Sequence, residues 1–339
     1  MEERVRKKAE LLLGGGVSVI DGTPLPFALS RSTAGPGAGK ASLILSFDGC
    51  RVKKPLSADG EFELSPDGAS YRLTRGGEPF LENVSLEPAA FHSPGQAFLN
   101  LDQRCVLGCA YCASPDLPRE IAHGIDPGKV VSMLSGAVES GKAVSFAVTS
   151  GVPDTVAETV GRLAGCVVAV RERYPDLPIG VEAYVDDETQ IDSLHDAGAD
   201  EIKINVEAAS REIFERACPG KDYNTVLGML SHAVAVFGKG KVASNVIVGM
   251  GESMNDFEKT LETLTSMGVC PGVRPLDTDG MGAETLERLG IAGRPSVDAL
   301  VSMARMQKGA MERHGLDPRT FSTMCFACGC CDLVPFRDF

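Results

Sequence analysis

Eleven cysteines occur in 339 residues, and seven of them fall into two tight groups. In LDQRCVLGCAYCASPD, Cys105, Cys109 and Cys112 are spaced C-x3-C-x2-C, with Tyr111 directly before the last. In MCFACGCCDLVPFRDF, Cys325, Cys328, Cys330 and Cys331 place four thiols within seven positions. Three thiolates in one loop can each take an iron of a 4Fe–4S cluster and leave the fourth iron open to bind and reduce a substrate or cofactor. In the tail, C-x2-C lets two sulfurs meet one metal, Cys331 continues the spacing, and Cys330 offers a fourth sulfur. Tetrahedral sulfur suits a mononuclear iron or zinc, or an auxiliary iron–sulfur cluster. Vicinal Cys330 and Cys331 need not both reach one metal. The bland alternatives are a zinc site short of one ligand for the loop and a nonfunctional cysteine-rich tail.

The elements that must position these groups follow from periodicity. QAFLNLD (96–102), AVSFAVTSG (143–151), PIGVEAYVDD (178–187), DEIKINVEA (200–208), KVASNVIVGMGE (241–252) and GVCPGVRPL (268–276) read as buried parallel strands. Between them lie segments with apolar residues at helical spacing, most ending near Gly or Pro. Strands that alternate with helices predict an α/β fold with a parallel sheet curled into a partial (β/α)6 TIM-like barrel over 96–280. Residues 1–95 break the rhythm. An initial helix, a Gly/Pro-rich stretch and the strand candidates SLILSF, EFELS and ASYRLT, with turns at SPDG and RGGE, predict a small N-terminal α+β domain. Residues 281–339 supply one strong helix, with Ser296 as its N-cap, and the cysteine tail.

The net charge of −13 argues against nonspecific nucleic-acid binding, which needs Lys and Arg to displace phosphate counterions. MEERVRKKAELLLGGG is too charged for a signal peptide, and no apolar run is long enough to span a membrane. The expectation is a cytoplasmic protein with reduced thiols, which favours metal ligands over disulfides.

The CVLGCAYC loop after the first barrel strand closely resembles the signature of the radical S-adenosylmethionine (SAM) superfamily, and the resemblance extends over about residues 96–276. It implies that the open iron chelates SAM and that reduction yields a 5′-deoxyadenosyl radical, which abstracts hydrogen from an unactivated C–H bond. Tyr111 would then approach the cluster. Thr149, Ser150 and Gly151 would form the turn that meets the SAM amino group, although the family usually has Gly-Gly-Glu there. Asn245, Ile247, Gly249 and Glu252 follow the family's G-x-I-x-G-x-x-E pattern except at the first position, and Gly249 and Gly251 would let the backbone approach the adenine. At the mouth of the fourth strand, Asn205, Glu207 and Arg211 become candidates, with Arg211 for the SAM carboxylate and Glu207 for the amine or ribose. Glu182 is a second ribose candidate. Glu207 and Arg211 also read as an i,i+4 surface pair.

Residues 198–252 look most like the biotin-synthase-like branch. Together with the tail, the ensemble is similar to methanogen radical SAM C-methyltransferases that modify methyl-coenzyme M reductase. That resemblance implies C-methylation of a protein side chain, cobalamin as methyl carrier, a protein or peptide substrate such as a subunit of that reductase, and a ferredoxin- or flavodoxin-type electron donor. Two other readings remain. One is a cobalamin-independent enzyme that uses the tail's metal in dehydrogenation, rearrangement or sulfur insertion; the other is a non-catalytic iron–sulfur scaffold.

Two motifs are set aside. AGPGAGKAS (34–42) has alanine at both deciding positions of a phosphate-binding loop, Ala34 and Ala41. SLHDAG (193–198) has Ser193 where a cobalamin signature has aspartate, so His195 reads as an exposed helical histidine. His92, Cys50, Cys166, Cys218 and Cys270 read as packing residues.

Overall fold

Alternating apolar residues in the first quarter of the chain build one sheet, and near-continuous apolar runs build a second. The computed structural model describes residues 2–29, 39–89, 91–112, 124–278, 281–291 and 294–339. After helix α1 (Glu2–Leu13) come β1 (Val17–Val19), β2 (Ser42–Phe47), β3 (Cys50–Pro55), β4 (Phe62–Asp67), β5 (Ser70–Arg75) and β6 (Glu78–Glu87). They form a six-stranded sheet in the order β1-β4-β5-β6-β2-β3, in which only β1 and β4 run parallel. Leu43, Leu45, Phe62, Leu64 and Leu73 bury its inner face.

β2, β4 and β5 lie where alternation places them, but β3 and β6 do not stand out in the sequence. The reason in β3 is that its polar residues are buried. Lys54 sends its ammonium to the carbonyls of Leu11 and Gly14, at 2.7 Å each, and so caps the C-terminal end of α1. Lys53 donates its backbone N–H to the Cys330 carbonyl at 3.0 Å and turns its side chain to His92. Of the AGPGAGKAS run, residues 34–38 lie outside the described residues.

The second sheet holds β7 (Phe91–Ser93), β8 (Gly95–Asn100), β9 (Ala143–Thr149), β10 (Ile179–Glu182), β11 (Glu201–Lys203), β12 (Glu207–Ala208), β13 (Val242–Val248) and β14 (Cys270–Pro275). β8, β9, β10, β11, β13 and β14 are parallel neighbours in that order and curl into a partial barrel. The run DEIKINVEA, expected as one strand, divides into β11 and β12. Glu207 takes a left-handed φ of 64°, and the Val206 N–H leaves the ladder for the Ser244 hydroxyl at 2.8 Å.

The crossover helices are α2 (Pro127–Glu139), α3 (Val156–Arg173), α4 (Glu188–Asp196), α5 (Arg211–Ala217), α6 (Tyr223–Phe237) and α7 (Met254–Met267). Side-chain oxygens of Asp126, Thr155, Asp187, Ser210, Asp222 and Ser253 accept from first-turn N–H groups, which sets each start. α8 (Ala283–Arg288), α9 (Val297–Arg313), capped by Ser296, and α10 (Met324–Cys328) complete the chain. None of the described helices is long and apolar enough to cross a membrane. His195 lies on α4 against Phe237, and Cys50, Cys166 and Cys270 are buried, as a packing role requires.

The tail enters the barrel from the side where the strands begin. Gln96 at the start of β8 clamps both backbone groups of Met324, accepting at 2.7 Å and donating at 3.2 Å. Glu201 at the start of β11 accepts from Ser322 and Thr323. A methyl group on Gly180 of β10 would lie 2.2 Å from the Thr323 hydroxyl, so glycine is what lets the tail sit against the sheet. The far end is fixed by Lys8 of α1, whose fully buried ammonium meets the Asp338 carboxylate and the Gly329 carbonyl, each at 2.8 Å. Removing one partner of such a pair leaves a buried charge unbalanced, at roughly 3–5 kcal/mol. Lys8→Met is therefore expected to lower stability by about that amount in urea unfolding, and adding Asp338→Asn should restore part of it.

Candidate active site

The first cysteine group sits where barrel enzymes carry their chemistry, beyond the C-terminal end of a strand. β8 runs into Asp102, a buried carboxylate that takes the Arg104 N–H and Nε at 3.0 Å each and Nη2 at 2.6 Å. The loop is then held from both sides. Val106 donates to the Val152 carbonyl at 2.8 Å, and Gly151 donates to the Asp102 carbonyl at 2.6 Å. Gly151 is crowded enough that a Cβ would stand 2.3 Å from the Arg104 carbonyl oxygen. On the other side, Ala110 donates to Ala217 at 2.8 Å and Gly220 to Leu107 at 3.1 Å, which ties the loop to the α5–α6 connection.

That connection brings residues without a spacing signal. The Tyr111 hydroxyl lies 3.6 Å from the Cys218 sulfur, so Cys218, expected only to pack, belongs to the surroundings of the loop. Hydrogen bonding from Cys218, aided by the Lys221 ammonium, brings the Cys109 thiol down to about 7 against burial and the Glu207 charge. Burial holds the Tyr111 phenol well above its ordinary value. Burial pulls the Lys221 ammonium down, but the Glu207 carboxylate at 2.7 Å, then Cys109 and Cys218, outweigh it and raise it.

The tail supplies the opposite wall. Cys325 receives the Lys203 ammonium and the Arg274 Nη2, both at 3.2 Å. Lys203 also pairs with Glu182 at 3.2 Å, and Arg274 grips Asp332 with Nε and Nη2 at 2.9 and 3.0 Å. Burial opposes the Glu182 charge, but Lys203, then the Asn205 amide at 2.9 Å, hold its carboxyl below the usual range. Cys330 bonding brings the Cys328 thiol to about 7, whereas burial pushes Cys331 up to about 12. His92, expected to pack, does so against Phe98 with ring centroids 4.9 Å apart, and it also stands 3.0 Å from the Lys53 ammonium; burial, then Lys53, keep its pKa well below the ordinary histidine value.

Both cysteine groups line a single cavity of about 670 Å³. Cys105, Cys109, Cys112 and Tyr111 face it, as do Thr149, Ser150, Gly151, Glu182, Asn205 and Glu207. Cys325, Cys328, Cys330 and Cys331 face it from the tail. Three expected residues fall outside its lining. Arg211 is exposed at the start of α5, bonded to Asn224, 3.6 Å from Glu215 and over the Tyr223 ring, because the turn after β12 carries it to the outer surface. Glu252 folds back on its own loop, accepting from the Gly249 and Met250 N–H groups at 2.7 and 2.9 Å. Gly249 is covered by Pro295, whose Cδ would lie 3.1 Å from an added Cβ. The wall there is made by Ile247, Leu276 and Met281 instead.

Three thiols on one clamped loop, a close glycine turn beside them and paired polar residues on the walls are what this side of the cavity offers a cluster with a bound nucleoside, although among the described residues no three metal-binding side chains are already gathered around one point. In metal-free protein, alkylation of Cys109 followed by mass spectrometry is expected to titrate near pH 7. Cys218→Ala should move that midpoint upward, since the thiolate loses its nearest donor.

Residues 99–264 match the family model of the radical SAM superfamily. Similar curated proteins include the lipoyl synthase of Histophilus somni strain 2336, 25% identical over 193 residues, which covers 53% of this chain and 56% of that protein. The lipoyl synthase of Coxiella burnetii strain Dugway 5J108-111 is 27% identical over 177 residues, covering 49% and 53%. The chain thus spans about half the length of the curated relatives it matches. Among solved structures, HydG, a maturase of the FeFe-hydrogenase, superposes with a TM-score of 0.50 at 15% identity, covering 64% of this chain and 50% of that one. That likeness is one of fold. With the family match and the curled parallel sheet together, residues 99–264 are a radical SAM superfamily domain.

Proposed function

We propose that this chain is a radical SAM enzyme acting on an unactivated carbon, with a second metal centre at Cys325, Cys328, Cys330 and Cys331 facing the same substrate. The observation that carries the reading is the shared cavity: loop thiols and tail thiols line one space. When bound, the cluster and SAM supply a 5′-deoxyadenosyl radical that takes a hydrogen atom from a C–H bond. The protein's own part is to seat and exclude. Asp102, Gly151 and the α5–α6 connection fix the cysteine loop, while Glu182, Asn205 and Glu207 offer acceptors and donors to the sugar and amino-acid parts of the nucleoside. Leu276 and Met281 provide an apolar wall that keeps water from a reactive intermediate.

Two fates of the carbon are distinguishable. Methylation of a protein side chain through methylcobalamin is the one the biotin-synthase-like barrel and tail spacing imply. A cavity of about 670 Å³ lies within the ~300–1,000 Å³ typical of a single drug-sized ligand. A corrinoid is several times larger than SAM, and a space of this size matches SAM with one small group better than SAM with a corrinoid. The geometry better supports the cobalamin-independent reading, in which the tail's metal serves dehydrogenation, rearrangement or sulfur insertion. The substrate is then a group small enough to reach between the two cysteine sets, such as a side chain of a protein or peptide, with a ferredoxin- or flavodoxin-type donor supplying electrons.

Anaerobic, reconstituted protein given reductant and SAM is expected to release 5′-deoxyadenosine, and Cys105→Ala to release none. Absence of the nucleoside from wild type would leave a non-catalytic iron–sulfur scaffold. Mass spectrometry of candidate peptides then separates sulfur gain or hydrogen loss from methyl gain. Corrinoid absorbance retained after desalting would restore the methyl-transfer reading.

A further inference from the structure

Cys218 is a buried thiol outside both cysteine groups, and its backbone setting brings it to one loop cysteine in particular. Ala110 donates to the Ala217 carbonyl at 2.8 Å, and Gly220 donates to the Leu107 carbonyl at 3.1 Å. One segment advances as the other retreats, so the cysteine loop and the α5–α6 connection run antiparallel here. Cys109 precedes Ala110 and Cys218 follows Ala217, which sets the two cysteines across from each other inside the stretch that these bonds bracket. Residues flanking a hydrogen-bonded pair in antiparallel chains have Cα atoms about 4.5 Å apart, and a disulfide needs roughly 4.4–6.8 Å. The approach is tight, since a Cβ on Gly220 would stand 2.4 Å from the Leu107 carbonyl oxygen. The side chain points the same way: the Cys218 sulfur lies 3.6 Å from the Tyr111 hydroxyl and hydrogen-bonds to Cys109. Both thiols are free.

We propose that Cys109 and Cys218 form a reversible disulfide when the loop holds no cluster, and that this bond withholds Cys109 until a dithiol reductant opens it. The disulfide stands on the geometry alone; its effect on loading rests on the reading that the loop thiols hold a cluster. Cys109 is partly exposed and lines the cavity, whereas Cys218 is fully buried, so Cys109 meets an oxidant first. With a small disulfide RSSR, the Cys109 thiolate attacks one sulfur, the S–S bond breaks and one RS⁻ leaves. The Cys218 thiolate then attacks the Cys109 sulfur and expels the second RS⁻. Two electrons pass from the protein thiols to RSSR, and the two thiol protons end on two molecules of RSH. Reduction by a dithiol retraces the exchange. One sulfur cannot serve both partners, so the bond and a cluster held through Cys109 exclude each other. The bond also keeps an empty loop's Cys109 from oxidation to sulfinic acid, which is not reversed by thiols.

The test uses the full chain, stripped of metal with a chelator and then given oxidised glutathione, with tryptic peptides mapped without reduction. A link is expected between peptide 105–119, which carries Cys105, Cys109 and Cys112, and peptide 217–221, ACPGK, and fragmentation should place it at Cys109. Cys112→Ser is expected to keep the link. Cys218→Ser, with its folded circular-dichroism signal unchanged, is expected to lose it and to accumulate a glutathione adduct at Cys109 instead. Protein loaded with iron and sulfide before the oxidant should form the link about tenfold less, because a metal-bound thiolate is not free to exchange. Release of 5′-deoxyadenosine with SAM and reductant verifies that the loop is loaded. Wild-type protein that carries adducts without a link to Cys218, or a bond confined to peptide 105–119, overturns the proposal. A link that forms equally in loaded, nucleoside-releasing protein overturns the exclusion. No 5′-deoxyadenosine from reconstituted wild type overturns the cluster reading beneath it, and the peptide map still decides the disulfide.

Discussion

A lysine on the first helix and an aspartate one residue from the C-terminus meet without access to water, and the rest of the architecture is arranged around that join. Lys8 reaches Asp338 and the Gly329 carbonyl together, while Asp338 also accepts the Val334 N–H at 2.6 Å. Burying both charges is costly, and the cost is offset only if these donors and acceptors are in place at once. The segment bearing Cys328, Cys330 and Cys331 is thereby pinned between the N-terminal sheet and the barrel. A chain whose ends must find each other in this way has its last residues fixed by contacts more than three hundred positions away.

The pinned tail covers the end of the partial barrel where the strands begin. Gln96, Gly180 and Glu201 receive residues 322–324 where the strands begin, and Phe326 packs with Ala243, Cys270 and Phe321 in an apolar layer below the thiols. Above that layer the interior is polar: Lys203, Arg274, Glu182 and Asn205 project inward from parallel strands that would otherwise be filled with aliphatic side chains. Apolar packing would serve stability at least as well as buried charge at this density.

At the other rim, the cysteine loop gains its shape from neighbours on both sides. The TSG turn presses on Arg104 from one side, and the α5–α6 connection holds Leu107 and Ala110 from the other. Lys221 and Cys218 arrive through that connection and alter the chemistry of Cys109 without belonging to its motif. The two cysteine sets are thus each served by cations from distant elements, Lys221 for one and Lys53, Lys203 and Arg274 for the other.

The sequence by itself determined what local spacing and short-range periodicity control. The C-x3-C-x2-C loop, the six parallel strands, the Ser296 cap of the long C-terminal helix and the clustering of tail thiols are all readable along the chain, because each depends on neighbours a few residues apart. Tertiary structure alone decided that both cysteine groups share a cavity, since that follows from the Lys8–Asp338 join and the fit of Thr323 against Gly180. It also decided which polar residues matter. Lys203 and Arg274 look like solvent-facing breaks in apolar strands, yet the curl of the sheet turns them inward onto Cys325. Gly249, Glu252 and Arg211 look like ligand contacts by pattern, whereas the cavity lining is made by other residues, and these three meet Pro295, the Gly249 and Met250 N–H groups and Asn224. A motif specifies which groups are available, and long-range packing and charge balance fix which of them face the cavity.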